Sequence, residues 1–241
     1  MSIDRRALVA RHDPILTRHD PMEALQVGNG ELAFTADVTG LQTFPEAHSK
    51  GMRLGFQAQW GWHHFPNTEK FTLDQTLADY GGVPYASRQD TDAGAYLRAN
   101  PHRLHLGRLG FVGFGIGELS EIHQRLRLWE GCIESRFSVC GQRVAVETLV
   151  HPSRDLLAVR IESSGPLALR LRFPGPSDTW GGDGAGPDSG GRDFPGHVGR
   201  RWLVQMAMRV PAESESFCSG NSLTRSISPS CSFAPGPAGV S

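Results

Sequence analysis

Arg143-Val-Ala-Val-Glu-Thr-Leu-Val150, then Leu156-Leu-Ala-Val-Arg-Ile-Glu162, then Leu167-Ala-Leu-Arg-Leu-Arg-Phe173 decide how this chain folds. In each stretch apolar side chains alternate with polar or small ones. Val144, Val146 and Thr148 bracket Glu147; Leu157, Val159 and Ile161 alternate with Ala158, Arg160 and Glu162; Leu167, Leu169, Leu171 and Phe173 alternate with Arg170 and Arg172. A period of two puts one set on a buried face and the other in water, the signature of a half-buried strand. The pattern extends upstream through Leu126 and Leu128, then Ile133, Phe137 and Val139. Turn residues break it at Glu130-Gly131, Cys140-Gly141, Pro152-Ser-Arg-Asp155 and Ser164-Gly-Pro166. Strands recurring about every ten residues leave no room for crossover helices, so the pairing is antiparallel. The expected fold is an all-β antiparallel sandwich, with one or two short helices in its connections.

Upstream, Leu25 to Phe44 reads as a hairpin punctuated by Gly28-Asn29-Gly30. Thr72-Leu-Asp-Gln75 has the spacing of a capping box, and Leu73, Leu77 and Tyr80 then share a helical face that Gly81-Gly82 ends. Thr91 to Asn100 predicts a second short helix, ended by Pro101. Gly107 to Gly117 predicts a Gly-rich strand that another backbone approaches closely. Residues 174–197 are dense in Gly, Pro and Asp and read as a long loop, and 201–210 return as a strand. From Pro211 onward Ser, Pro and Gly dominate without alternation. Residues 1–210 are therefore expected to form the sandwich domain, and 211–241 a disordered or aberrant tail, such as a frameshift or mis-splicing would leave.

Composition narrows the function classes. The 241 residues carry a formal net charge of −1, which does not suggest non-specific nucleic-acid binding. No apolar run reaches the roughly 20 residues of a membrane helix. Arg5 and Arg6 are not followed by the apolar stretch of a secretory signal, so a cytoplasmic protein is expected. Cys132, Cys140, Cys218 and Cys231 form no C-x-x-C pair and read as thiols rather than zinc ligands or a disulfide frame.

Trp60-Gly61-Trp62-His63-His64 is the most unusual local cluster. Aromatic rings stack on the C–H faces of sugars, and imidazoles bond their hydroxyls; the competing reading is that both indoles fill the core. His102-x-x-His105 has metal-ligand spacing only on a helix and lacks an acidic or thiol partner, so no metal is expected. Gly113-x-Gly115-x-Gly117 departs from a dinucleotide fingerprint, because Glu118 stands where glycine is needed and no helix follows; no cofactor is expected. Glycoside hydrolysis requires two carboxyl groups in one cleft, for which Glu31, Asp37, Glu46, Asp74 and Asp79 are the candidates.

Leu25-Gln-Val-Gly-Asn-Gly-Glu-Leu-Ala33 resembles the GNG hairpin near the start of glycoside hydrolase families 65 and 95, the six-hairpin glycosidases. Asp37-Val-Thr-Gly-Leu-Gln-Thr-Phe44, Trp60-Gly-Trp-His63, Asn100-Pro-His-Arg-Leu-His105 and His151-Pro152 with Asp155-Leu-Leu-Ala-Val-Arg160 follow in the same order. The resemblance spans about residues 3 to 210. It implies an N-terminal β-sandwich that supports an (α/α)6-barrel catalytic domain. The family's general acid lies in that barrel, which no segment here can form, so the chain alone is expected to be inactive. Asn29, Trp60, Trp62 and His63 are the substrate-binding candidates, because sandwich loops of such enzymes border the cleft. The expected partners are that barrel and a carbohydrate, with neither nucleic acid nor membrane. The alternatives are a stand-alone carbohydrate-binding module and a complete small hydrolase.

Overall fold

The computed structural model describes residues 3–64, 66–87, 90–100, 102–172, 192–194, 202–207 and 230–235. Its largest element is a seven-stranded sheet. The strands run, edge to edge, Ile15–Leu16, Leu119–Arg127, Cys132–Val139, Gln142–Val150, Leu156–Ser163, Trp202–Ala207 and Ser230–Pro235. Every neighbouring pair is antiparallel. The Cys140-Gly141 turn works because both residues take positive φ, 49° and 75°, as a two-residue hairpin of matching twist requires.

Register turns the sequence alternation into two faces. One cross-strand row is Gln124, Ser135, Val146 and Ile161, and the next is Leu126, Ile133, Thr148 and Val159; all but Leu126 are buried. The opposite face carries Glu134, Glu147 and Arg160 in register. Arg127 and Arg160 pair there with Glu134 and Glu147 at 3.0 and 2.5 Å. Such exposed pairs contribute little stability, on the order of 0–1 kcal/mol.

A second layer covers the buried face. Leu25–Gly28 and Leu32–Ala36 form the expected hairpin, joined by Phe56–Ala58 in a three-stranded sheet. Leu25, Val27, Leu32, Phe34 and Phe56 are buried, and the rings of Phe34 and Phe56 meet edge to face at 5.4 Å. The hairpin packs on the Cys132–Val139 and Gln142–Val150 strands, so the sandwich is a two-layer antiparallel one.

The meander stops one strand early. Ala168–Arg172 leaves the main sheet and lies between Arg192–Phe194 and Arg108–Val112 in a separate three-stranded sheet. Trp202–Ala207 takes the place beside Leu156–Ser163. Alternation fixes which face a strand buries, not which neighbour it pairs with, so the exchange was invisible to the pattern. Trp202–Ala207 pairs on its other side with Ser230–Pro235, inside the segment whose composition predicts no ordered structure. The rest of residues 211–241, and most of 174–197, lie outside the described residues.

Residues 72–86 also differ from expectation. Thr72 N–H does donate to Gln75 Oε1 at 2.9 Å, but the box opens only a 3-10 turn, Leu73–Thr76. Leu77–Asp79 then pairs with Pro84–Ala86 as a hairpin instead of continuing a helix. Gly81 and Gly82 both have positive φ, and Tyr80 N–H donates to Val83 O at 2.9 Å, closing a two-residue turn. The second helix forms as expected over Asp92–Ala99, with Thr91 Oγ1 accepting from Gly94 N–H at 3.1 Å.

The backbone divides into two compact units. One holds Met1–Phe56, Leu109–Arg170 and Asp193–Ser241; the other holds Gln57–Arg108 and Leu171–Arg192. Among the described residues no helix is long and apolar enough to cross a membrane.

Candidate functional site

In the first unit the Gly28-Asn29-Gly30 turn is held by the asparagine. Asn29 Oδ1 accepts from the N–H groups of Glu31 and Leu32 at 2.9 and 2.8 Å. Its Nδ2 donates to the carbonyls of His151 and Arg154 at 3.0 and 3.2 Å. Both donors and both lone pairs are thus engaged by backbone, which leaves Asn29 no free position for a sugar hydroxyl. Its role is to bolt the hairpin to the 151–154 turn. Asn29→Ala is expected to cost about 1–2 kcal/mol in urea unfolding, the size of a lost cap, without altering any ligand affinity.

The Asp37–Phe44 segment enters the sandwich interior. Asp37 is fully buried, and its Oδ1 accepts from Thr39 N–H at 2.8 Å and from Thr39 Oγ1 at 2.6 Å. Its Oδ2 accepts from Phe44 N–H at 2.8 Å. Burial pushes its carboxyl above the ordinary range, against the pull of those hydrogen bonds. The sheet supplies the remaining partners: Gln124 Nε2 donates to Asp37 O and Thr148 Oγ1 donates to Gly40 O, at 2.6 and 2.7 Å. Gly40 sits at φ 80°, where a Cβ would come within 2.8 Å of Ser135 Oγ. Sequence reading missed Gln124, Ser135 and Thr148 as a polar set. The available signal was that Ser135 and Thr148 occupy positions the alternation assigns to the buried face.

His48 closes the segment. Its Nδ1 lies 3.1 Å from Met52 O, and its ring meets His19 edge to face at 5.0 Å. His19 Nδ1 is buried with no partner among the described residues. Desolvation and the neighbouring His48 lower the His19 pKa from 6.5, while Asp20 partly opposes them. A base with a depressed folded pKa gives stability that is present above its unfolded pKa and lost as pH falls through the folded value. The chain is therefore expected to lose stability below about pH 6.5, and His19→Gln to flatten that loss. Urea midpoints of both proteins between pH 7.5 and pH 5 check it; equal slopes contradict it.

The aromatic cluster belongs to the second unit. Trp62–His63 pairs with His102–Arg103, and Leu104 N–H donates to Gly61 O at 2.8 Å. Arg103 donates to Gln59 O at 3.1 Å. Two of the motifs read from the sequence are thus strand partners. Trp62 is 43% exposed and its ring meets His64 edge to face at 5.1 Å. Trp60 is half-buried. The His63 side chain lies outside the described residues, and its backbone opposes His102. Because His102–Arg103 is a strand, His102 and His105 do not share a helical turn.

The five candidate carboxylates divide between the units. Glu31, Asp37 and Glu46 belong to the first, and Asp74 and Asp79 to the second. Glu31, Glu46 and Asp74 are exposed, Asp37 is bound as above, and Asp79 accepts from Gly82 N–H at 2.6 Å to close its hairpin. Among the described residues no three His, Cys, Asp or Glu side chains are grouped to hold a metal. Compared with known proteins, the chain matches no protein-family model and no curated protein sequence.

Proposed function

We propose that this chain is the non-catalytic β-sandwich of a glycoside-hydrolase-like protein of carbohydrate metabolism, supporting a helical catalytic barrel in the cytoplasm. The observation that carries the reading is how the ordered motifs pair. The GNG turn is bonded to the His151–Arg154 turn, and the Trp62–His63 strand is paired with His102–Arg103. Each pairing joins, within one unit, two motifs that lie far apart in sequence, which supports reading the motifs as one ordered set.

A sandwich that supports another domain also needs an apolar surface to offer it. In the second unit Leu73, Tyr80, Val83 and Tyr85 are each 60–64% exposed, on the turn and hairpin of residues 73–86. That group supports the reading. The general acid belongs to the barrel, so the purified chain is expected to turn over no aryl glycoside, with or without added phosphate. Sustained turnover that is lost on substitution of one carboxylate of this chain would overturn the proposal.

The exposure of Trp62 favours a second reading, a stand-alone carbohydrate-binding module. An exposed indole stacks on a sugar ring without supporting the fold. On that reading Trp62→Ala leaves the melting temperature unchanged and weakens oligosaccharide binding at least tenfold, about 1.4 kcal/mol. Calorimetric titration with neutral oligosaccharides checks it, and equal affinity of the two proteins excludes it.

A further inference from the structure

The outer face of the seven-stranded sheet holds a depression of about 490 Å3, lined in part by Glu121, Arg136, Ser138, Arg143, Glu162 and Ser164. Three features set it apart from the rest of that face. First, its arginines are unpaired. Arg125, Arg127 and Arg160 of the same sheet each lie within 3.0 Å of a carboxylate, from Asp13, Glu134 and Glu147. Arg136 and Arg143 are exposed and, among the described residues, form no ion pair.

Second, those two arginines are held close on adjacent strands. Arg136 opposes Ala145, and Arg143 opposes Ser138, so both guanidinium stems stand on one face as diagonal neighbours. Like charges placed so repel each other, and a bound oxyanion relieves that repulsion with planar, bidentate hydrogen bonds.

Third, the rim is shaped by a bulge. Ser120 opposes Ser138 and His123 opposes Arg136, so one extra residue is inserted between them. Glu121 takes φ 53° there, a conformation that non-glycine residues seldom adopt. Bulges re-aim side chains, and this one sets Glu121 at the depression, where its Oε2 accepts from Ser138 Oγ at 2.6 Å. The second carboxylate, Glu162, lies 3.9 Å from Arg160 Nε. Both acids are therefore engaged, and neither forms an ion pair with Arg136 or Arg143.

The geometry points to a binding site for a small hydroxylated oxyanion, a sugar acid or a sugar phosphate. Arg136 and Arg143 take the anion, while Ser138, Ser164 and Glu121 meet the hydroxyls.

Calorimetric titration of the full chain with glucuronate, glucose 6-phosphate, inorganic phosphate and glucose tests it. Saturable binding of at least one anion is expected, with none of glucose. Arg136→Gln/Arg143→Gln is expected to weaken that binding at least tenfold while leaving the melting temperature in place, because both side chains are exposed. Binding of glucuronate assigns the anion as a carboxylate. Binding of glucose 6-phosphate and phosphate without glucuronate assigns it as a phosphate. No saturable anion binding by the folded chain, or undiminished binding by the double variant, overturns the proposal. A single substitution, Arg143→Lys, serves if the double variant misfolds. Losing the fork while keeping the charge is expected to weaken binding severalfold, and an unchanged affinity overturns the proposal equally.

Discussion

Asp37→Ala is expected to remove more than about 3 kcal/mol of stability, enough to unfold a marginal domain. The carboxylate has three donors, and the substitution does not affect them equally. Thr39 Oγ1 keeps a partner in Thr43 Oγ1, 2.7 Å away. The N–H groups of Thr39 and Phe44 lose the acceptors that hold the turn closed, each at a cost of about 1–3 kcal/mol when left buried and unpaired. Asp37→Asn retains an acceptor for Thr39 but presents N–H2 to the Phe44 N–H, so it is expected to fall between wild type and alanine. The pH dependence is a second signature. A carboxyl whose folded pKa is raised gives stability that is full below its ordinary pKa of 3.8 and is lost as pH rises through the folded value. The gap between wild type and Asp37→Asn is therefore expected to narrow as pH rises from 4 toward 7. Urea unfolding at several pH values measures both effects, and a gap that widens contradicts the assignment.

Gly110→Val is the second large effect. A Cβ at Gly110 would lie 2.7 Å from Gln42 O, 2.9 Å from Thr43 Cα and 3.1 Å from Gln42 C. These are backbone atoms, which no rotamer change can move aside. The approach is held by Gln42 N–H donating to Leu109 O at 2.7 Å and by Phe111 N–H donating to Thr43 Oγ1 at 3.3 Å. Opening the gap for a side chain stretches both bonds, so a loss of about 3 kcal/mol is expected, near the upper end for overpacking. Gly117→Ala is the control, because nothing lies within 4 Å of its Cβ position. It is expected to stay within about 0.5 kcal/mol of wild type. Equal losses at the two positions would mean that the close approach at Gly110 does not hold the Gln42–Thr43 segment to the Arg108–Val112 strand.

The two residues also show what could be read beforehand. A Gly-rich strand predicts a close backbone approach, and Gly110 delivers it. The alternation from Val144 to Ile161 predicted faces, and the register places those side chains inward. The helix at Thr91 was legible because its cap is local. What the pattern does not report is pairing. The box at Thr72 is real, yet Gly81-Gly82, a helix stop by composition, is a hairpin turn with two positive φ values. Ala168–Arg172 changes sheets although its alternation never falters. At the candidate sites, the place of Asn29 in its motif makes it a ligand candidate. Only coordinates show that its amide donors are taken by carbonyls more than a hundred positions away, while its oxygen is taken locally by the N–H groups of Glu31 and Leu32. Arg136 and Arg143 looked like any other arginines of a polar face, since sequence does not report which guanidinium lacks a carboxylate.

If this sandwich supports a glycosidase-like protein as proposed, genomic DNA downstream of the codons for the sandwich, translated in all three frames, is expected to continue into paired amphipathic helices sufficient for an (α/α)6 barrel and carrying a candidate general acid. Frames that encode no such helices would overturn that proposal.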